Sequence, residues 1–212
     1  MAVITFGLGL ALLLGGGTGW AHENNYHEKE EFLKGVDSRS CSIPEAQLLS
    51  VEGEPIRFYE DLVKSKIVVI SFIYTDCKLT CSLATANIAA LRDALGSRAG
   101  QDVQLISITI DPVFDTPAVL QEWSQHFKPD SGWVFLTGEK HRVDQLLKGL
   151  KVFAPPTQGQ KDKFADHPQI MIVANDRTGY CHYTNGLPTP KQLLQIIDSL
   201  ADEVPEDARE ME

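Results

Sequence analysis

The feature that most constrains the fold is a run of almost continuously apolar, mostly β-branched residues at positions 67–74. This pattern is typical of a strand that is buried on both faces of a parallel sheet. Apolar residues then recur at helical spacing from 83 to 95, Gly96 provides a stop signal, and a second apolar run follows at 103–110. Strand, helix and strand in this order predict a βαβ unit with a right-handed crossover.

The rest of the chain continues the alternation of strands and helices. In chain order, the further predicted elements are a β-hairpin over 46–58, a helix capped by Thr116 with Pro117 at its first position and running to about Phe127, a strand at 133–136, a helix at 142–150, a hairpin with strands at 169–173 and 180–183, and a final helix capped by Thr189. Together they predict an α/β fold: a thioredoxin-like mixed sheet flanked by helices, with an added N-terminal β-hairpin.

The first 21 residues carry no charge and end in small residues, which indicates a secretory signal cleaved after Ala21 or a membrane anchor. We therefore expect the protein in the periplasm or on the outer face of the inner membrane. The expected organisation is a signal or anchor at 1–21, a flexible tether at 22–40, one thioredoxin-like domain at 41–204 and a flexible acidic tail at 205–212.

Composition indicates a globular protein, and the charge of the chain argues against binding to nucleic acid. Hydrophobic residues make up 43% of the chain and charged residues 23%, as in ordinary globular proteins. The net charge is -10, and no dense run of Lys and Arg is present, so the sequence gives no support for nucleic-acid binding.

The strongest local signal is the segment Thr75-Asp76-Cys77-Lys78-Leu79-Thr80-Cys81, between the first buried strand and its helix. A helix N-terminus favours the thiolate, which is both a nucleophile and a metal ligand. Thiols at positions i and i+4 share one helical face. The alternative is that both cysteines are small buried hydrophobes. Soft thiolates select Cu(I), and one imidazole would complete a trigonal site.

Of the six histidines, His167 is the predicted third ligand. It ends a long loop at 151–166 and directly precedes a predicted core strand, and in a thioredoxin-like sheet this connection lies against the helix that carries the two cysteines. We assign the other histidines to the tether, to helix surfaces or to the terminal hairpin: His22, His27, His126, His141 and His182. The predicted metal site is therefore Cys77, Cys81 and His167.

These motifs, with residues 107–112, Asp115-Thr116-Pro117 and Asp166-His167, resemble the Sco/SenC family of copper chaperones over roughly residues 43–200. The resemblance implies that Cys77, Cys81 and His167 bind copper, as Cu(I) and also as Cu(II). It implies as partners the cytochrome c oxidase subunit that carries the binuclear copper site, together with other copper or thiol-redox proteins.

The sequence departs from the family pattern at two positions, because Lys78 and Ser82 stand where the family usually has proline. Pro168 aligns with the cis-proline that faces the cysteines of thioredoxins, so a second function stays open: a thiol-disulfide oxidoreductase or thiol peroxidase that uses Cys77 and Cys81 catalytically. A zinc site of two Cys, one His and water is a third option.

Three further residues have open assignments. Cys41 and Cys181 either form a structural disulfide between the two hairpins or are separate buried residues, and we favour the unbonded alternative. Asp111 either holds its loop near the site through its carboxylate or caps the turn before Pro112.

Overall fold

The computed structural model describes residues 37–77, 80–130, 132–152 and 170–202. Within them, one mixed sheet has the strand order β1-β8-β7-β4-β5-β6-β2-β3. Its strands are Asp37–Ser40 (β1), Gln47–Ser50 (β2), Pro55–Arg57 (β3), Ile67–Ile73 (β4), Val103–Thr109 (β5), Trp133–Thr137 (β6), Ile170–Asn175 (β7) and Tyr180–Asn185 (β8). The α-helices are Thr80–Leu95 (α1), Pro117–Ser124 (α2), Lys140–Gly149 (α3) and Pro190–Ala201 (α4), and shorter helical segments occupy Phe58–Val63, Gly96–Arg98 and Gln125–Phe127.

The centre of the sheet confirms the predicted βαβ unit. Strands β4 and β5 are parallel, with Ile67 opposite Val103 and Ile73 opposite Thr109, and every residue of both strands is buried. Such strands need cover on both faces, because side chains alternate between the two sides of a sheet. Strand β6 extends the parallel part beyond β5.

Helices supply that cover on both faces. On one face, α3 and the segment Phe58–Val63 pack in a hydrophobic cluster that includes Val68, Ile70 and Phe72 of β4. The opposite face is covered by α1 and α4, which pack on each other and on β4. The site segment, which follows β4 and leads into α1, is thus anchored on both sides by buried structure.

Antiparallel strands flank the parallel part of the sheet on both sides. The predicted N-terminal hairpin is present as β2 and β3, and it joins the sheet through β6. The predicted terminal hairpin is present as β7 and β8, with β7 antiparallel to β4. Its turn contains Gly179 at φ 72°, a left-handed conformation that glycine adopts without strain. The predicted thioredoxin-like mixed sheet with an added N-terminal hairpin is therefore confirmed.

Two expectations about the N-terminal region are corrected. Residues 37–40, placed in the tether, form β1 and pair with β8. Cys41 and Cys181 form a disulfide, with Cα atoms 5.8 Å apart, whereas we favoured no bond. The pairing of β1 explains the bond, because the Cys41 N–H donates to the Gly179 carbonyl at 2.9 Å. Cys41 thus lies opposite a residue without a side chain and diagonal to Cys181 on the same face.

The predictions for residues 1–21, for the tether up to 36, for most of the loop at 151–166 and for the acidic tail at 205–212 lie outside the described residues. Among the helices of the described part, none has the length and apolar character needed to cross a membrane.

Candidate metal centre

The two predicted cysteines lie where the central strand β4 gives way to α1. The Cys77 N–H donates to the Tyr74 carbonyl at 3.2 Å, which closes a turn directly after the strand. Cys81 is the second residue of α1. Cys77 has 7% of its surface exposed and Cys81 has none, and both side chains are free of disulfides. The predicted junction is confirmed, and the thiols are reduced and shielded.

Hydrogen-bonding groups surround the sulfur of Cys77. The backbone N–H of Cys81 donates to it at 3.2 Å, and the Thr80 hydroxyl lies 3.2 Å away. The Cys81 N–H belongs to the first turn of α1, whose N–H groups lack partners within the helix. A backbone N–H that donates to a sulfur stabilises negative charge there, so this contact is one that a metal-binding sulfur can use.

Cys81 has a different environment four residues along the chain. Burial, with the hydrogen bond to Cys77 as the second cause, raises the pKa of Cys81 to about 12. Burial also raises the pKa of Tyr74 to about 12, again with the Cys77 hydrogen bond as the second cause. A thiol with such a pKa keeps its proton at neutral pH, and a metal ion that binds it must displace the proton. The two sulfurs also differ in their contacts, because the Cys77 sulfur accepts the backbone N–H of Cys81.

A buried carboxylate that we did not predict fixes the loop in front of the cysteines. Asp115 is fully buried, and its carboxylate accepts the Thr75 N–H at 3.1 Å, the Thr75 hydroxyl and, at 2.5 Å, the Thr109 hydroxyl. These bonds tie the loop after β5 to the segment that leads to Cys77. Our assignment had considered Asp111 instead, whose backbone carbonyl accepts the N–H groups of Phe114 and Asp115.

The third predicted ligand, His167, lies outside the described residues, as do Pro168 and the segment Lys78-Leu79. Over the described ranges, no cluster of three or more His, Cys, Asp or Glu side chains is arranged to hold a metal. The structure therefore brings together two of the three predicted ligands, and the role of His167 stays a prediction.

Among the other histidines, His126 and His141 are exposed on helical segments, as predicted. His182 is buried in β8 with 7% of its surface exposed. Among the described residues, neither of its ring nitrogens has a hydrogen-bond partner. Burial lowers the pKa of this imidazole.

Exposed apolar side chains lie in the two segments that flank the site. Val113 and Phe114 have 69% and 59% of their surfaces exposed, and they immediately precede Asp115. Leu83, in the first turn of α1 and two residues beyond Cys81, has 50% exposed. Large side chains of this kind are usually buried, so their exposure in both segments suits contact with another molecule.

Comparison with known proteins identifies relatives over most of the chain. A family model described as SCO1/SenC matches residues 44–202. A putative copper-binding protein of Stutzerimonas stutzeri is 27% identical over 166 residues, which cover 76% of this chain and 79% of that protein.

Solved structures share the fold. The structure of Bradyrhizobium japonicum ScoI with copper bound has a TM-score of 0.61 at 22% identity and covers 74% of this chain and 98% of its own. A structure that identified a disulfide switch in BsSco, a member of the Sco family of cytochrome c oxidase assembly proteins, has a TM-score of 0.61 at 22% identity and covers 77% and 95%.

Proposed function

Because the chain belongs to the SCO1/SenC family, we propose that it is a copper chaperone that binds one copper ion through Cys77, Cys81 and His167. The observation that carries the proposal is the pair of reduced, buried thiols at the start of α1. Two sulfur ligands and one imidazole suit Cu(I), which prefers soft donors. A named relative, the Stutzerimonas stutzeri protein, is described as copper-binding.

The direction of β7 supports His167 as the third ligand. Strand β7 is antiparallel to β4, and Met171 near its start lies opposite Ser71 near the end of β4. The chain just before Ile170 therefore enters the sheet at the edge where β4 ends and the Cys77 segment begins. His167 precedes Ile170 by three residues, a separation that an extended chain spans in about 10 Å.

The chemistry of the site suits a cargo that is held and then released. The Cys81 N–H donates to the Cys77 sulfur, which favours a thiolate that can bind the incoming ion first. Cys81 then loses its proton as it joins the ion, so copper binding releases a proton and is coupled to pH. Two of the proposed ligands lie at the junction of β4 and α1, and the third belongs to a separate part of the chain.

We propose that the recipient is the cytochrome c oxidase subunit that carries the binuclear copper site, reached outside the cytoplasm. The relative BsSco is described as a member of a family of cytochrome c oxidase assembly proteins. The Cys41–Cys181 disulfide supports an extracytoplasmic location, since disulfides persist in oxidising compartments. Residues 1–21 would provide the export signal or the membrane anchor, and Val113 and Phe114 offer apolar surface beside the site for the recipient.

A copper titration tests the proposed site. We expect the purified, reduced protein to bind one equivalent of Cu(I), and we expect Cys77→Ser and His167→Ala each to weaken binding by at least about 100-fold, the upper range for loss of a residue that only supports a ligand. The exposed His126 provides the matched control, His126→Ala, which should bind as the wild type does. Unchanged copper affinity in His167→Ala would show that the proposed ligand set is wrong.

A second function, thiol-disulfide exchange through Cys77 and Cys81, is favoured by the asymmetry of the pair. In such a reaction the Cys77 thiolate attacks a partner disulfide, and the Cys81 thiol then displaces the partner, so that two electrons pass to the partner and Cys77 and Cys81 become a disulfide. Insulin reduction and peroxide consumption measure it. Copper-independent turnover that disappears in Cys77→Ser would favour this function over copper delivery.

A further inference from the structure

We propose that the Cys41–Cys181 disulfide is a redox-sensitive latch for the first strand of the domain. A dithiol reductant opens the bond, and β1 then separates from β8 while the rest of the domain stays folded. The inference goes beyond copper binding and does not depend on it, because neither cysteine of this bond belongs to the proposed metal site.

Strand β1 is held by few contacts of its own. It is the outermost strand of the sheet and pairs with β8 alone among the described strands, through four residue pairs. All four of its residues are polar, so the strand has no hydrophobic side chain to add to the core: Asp37, Ser38, Arg39 and Ser40. The net gain from one ladder hydrogen bond is no larger than the entropy cost of ordering one residue. The pairing of β1 is therefore close to balance without further support.

The disulfide at the end of β1 supplies that support. Cys41 directly follows the strand, and its N–H donates to the Gly179 carbonyl at 2.9 Å, which continues the pairing by one step. The bond to Cys181 fixes this end of the strand on its neighbour, so β1 loses less chain entropy when it pairs. Without the bond, β1 is a terminal segment held by its ladder alone, and such segments open first.

The chain that follows the disulfide is held independently of it. Ile43 and Ala46 pack against the hydrophobic cluster on the α3 face of the sheet, and the Ala46 carbonyl accepts the Phe58 N–H at 2.8 Å. Cys181 is fully buried in the same cluster, where a free thiol behaves as a small apolar residue. Opening the bond should therefore release the chain up to about Ser42 and leave the core in place.

The two sulfurs differ in access, which decides where the reaction begins. Cys41 is half-buried, whereas Cys181 is fully buried. A thiolate of the reductant therefore attacks the Cys41 sulfur, the S–S bond breaks, and the Cys181 sulfur leaves as a thiolate that takes up a proton. The second thiol of the reductant then attacks the mixed disulfide and releases Cys41 as a thiol. Two electrons pass to the protein, and the reductant becomes a disulfide.

Opening the latch moves the N-terminal boundary of the folded domain from Asp37 to about Ile43. Residues 37–42 then join the chain that precedes the folded part, which adds about 20 Å of extended chain between it and the proposed anchor at 1–21. The redox state of one bond would thus set how far the metal centre reaches from a membrane.

The test compares the full chain before and after treatment with dithiothreitol under native conditions. We expect the number of free thiols to rise from two to four per chain, since the chain has four cysteines and this disulfide joins two of them. Amide hydrogen exchange over β1 and Cys41 should accelerate by at least about 100-fold, as for a segment whose opening costs almost no free energy, while the amides of β4 and β5 stay protected. Trypsin should cleave after Arg39, which lies in β1, only in the reduced chain.

Two variants separate the latch from the other thiols. Cys41→Ala/Cys181→Ala should show the fast exchange of β1 without reductant, and Cys77→Ala/Cys81→Ala should respond to dithiothreitol as the wild type does. Unchanged protection of β1 in wild-type chain with four free thiols would overturn the latch. A disulfide that dithiothreitol reduces only in the unfolded protein would also overturn it. Loss of protection in β4 and β5 together with β1 would do the same, because the bond would then hold the whole domain.

Discussion

The two cysteine pairs of this chain differ in their bonding: one pair forms a disulfide, and the other does not. Cys41, which directly follows β1, is joined to Cys181 of the adjacent strand β8. Cys77 and Cys81 remain thiols at the junction of β4 and α1, although only three residues separate them in sequence. Closeness in sequence therefore does not decide which sulfurs pair.

The surroundings of each pair account for the difference. Strand pairing places Cys41 diagonal to Cys181 on one face of the sheet, where the sulfurs have each other and apolar neighbours. At the other pair, the Cys77 sulfur is engaged by a helix N–H and a hydroxyl. The first pair therefore stabilises the edge of the domain, and the second is kept available for a ligand.

The first prediction tests whether the disulfide serves stability and not copper binding. The double variant Cys41→Ala/Cys181→Ala removes the bond. We expect the free energy of unfolding to fall by about 2–4 kcal/mol, because the bond closes a loop between residues 140 positions apart and restricts the unfolded chain. Copper stoichiometry should not change. Urea denaturation with and without reductant, followed by a copper titration, measures both quantities.

The matched control is Cys77→Ala/Cys81→Ala, which should show the reverse pattern. It should lose copper binding and keep the wild-type sensitivity of unfolding to reductant, whereas the disulfide variant should be insensitive to reductant. Equal stability of wild type and the Cys41→Ala/Cys181→Ala variant under oxidising conditions would contradict the division of roles between the pairs.

The second prediction concerns the reduced pair and tests, with Asp115→Asn, whether the Asp115 carboxylate holds the loop in front of Cys77. The carboxylate receives N–H and O–H donors from Thr75 and Thr109 while fully buried, and an amide cannot satisfy all of them. We expect a loss of about 1.5–3 kcal/mol in unfolding free energy. Copper affinity should fall by about 10-fold, because the loop in front of Cys77 is no longer fixed.

The half-exposed neighbour Asp111 provides the control for this experiment. Asp111→Asn leaves the backbone hydrogen bonds of the loop intact and should change stability by less than about 0.5 kcal/mol. Urea denaturation measures the unfolding free energy of both variants, and copper titration measures their copper affinity. Equal effects of the two substitutions would show that Asp115 has no special role.

What the sequence predicted correctly was local or periodic. The all-apolar run gave β4, and the Thr189-Pro190 signal gave the start of α4, where Thr189 and Gln192 form a reciprocal cap. The second helix is shorter than predicted, because α2 ends at Ser124 and a tighter helical turn continues to Phe127. Such patterns are informative because the neighbours that determine them lie within a few residues.

What the sequence did not reveal depends on distant partners. The Asp115 carboxylate accepts a hydrogen bond from Thr75, which is 40 positions away in the sequence. The disulfide requires β1 to pair with β8, and no local pattern specifies that register. The strand-to-helix junction that carries the two candidate cysteines was predicted correctly, because such a junction is itself a local signal. The distant ligand, His167, was inferred from the fold and the family resemblance, and it stays a prediction.

The smallest expected effect concerns His182, which neighbours Cys181 but points to the opposite face of the sheet. The imidazole is buried, and among the described residues neither ring nitrogen has a partner. Its pKa is lowered by burial, so the folded protein binds a proton less readily than the unfolded chain does. The contribution of neutral His182 is therefore complete above its unfolded pKa, about 6.5, and stability is lost as the pH falls below that value.

We expect His182→Phe to differ from wild type by no more than about 1 kcal/mol at pH 8, because an apolar ring removes the unsatisfied nitrogens and fills similar space. Below pH 6.5, the difference should move in favour of the variant, with a slope no steeper than about 1.4 kcal/mol per pH unit, the limit for one proton. Urea denaturation from pH 8 to pH 5 measures it, with the exposed His126→Phe as control. Parallel pH profiles for wild type and His182→Phe would mean that the buried imidazole does not titrate with unfolding, and the pH sensitivity of this edge of the sheet would then have to come from other groups.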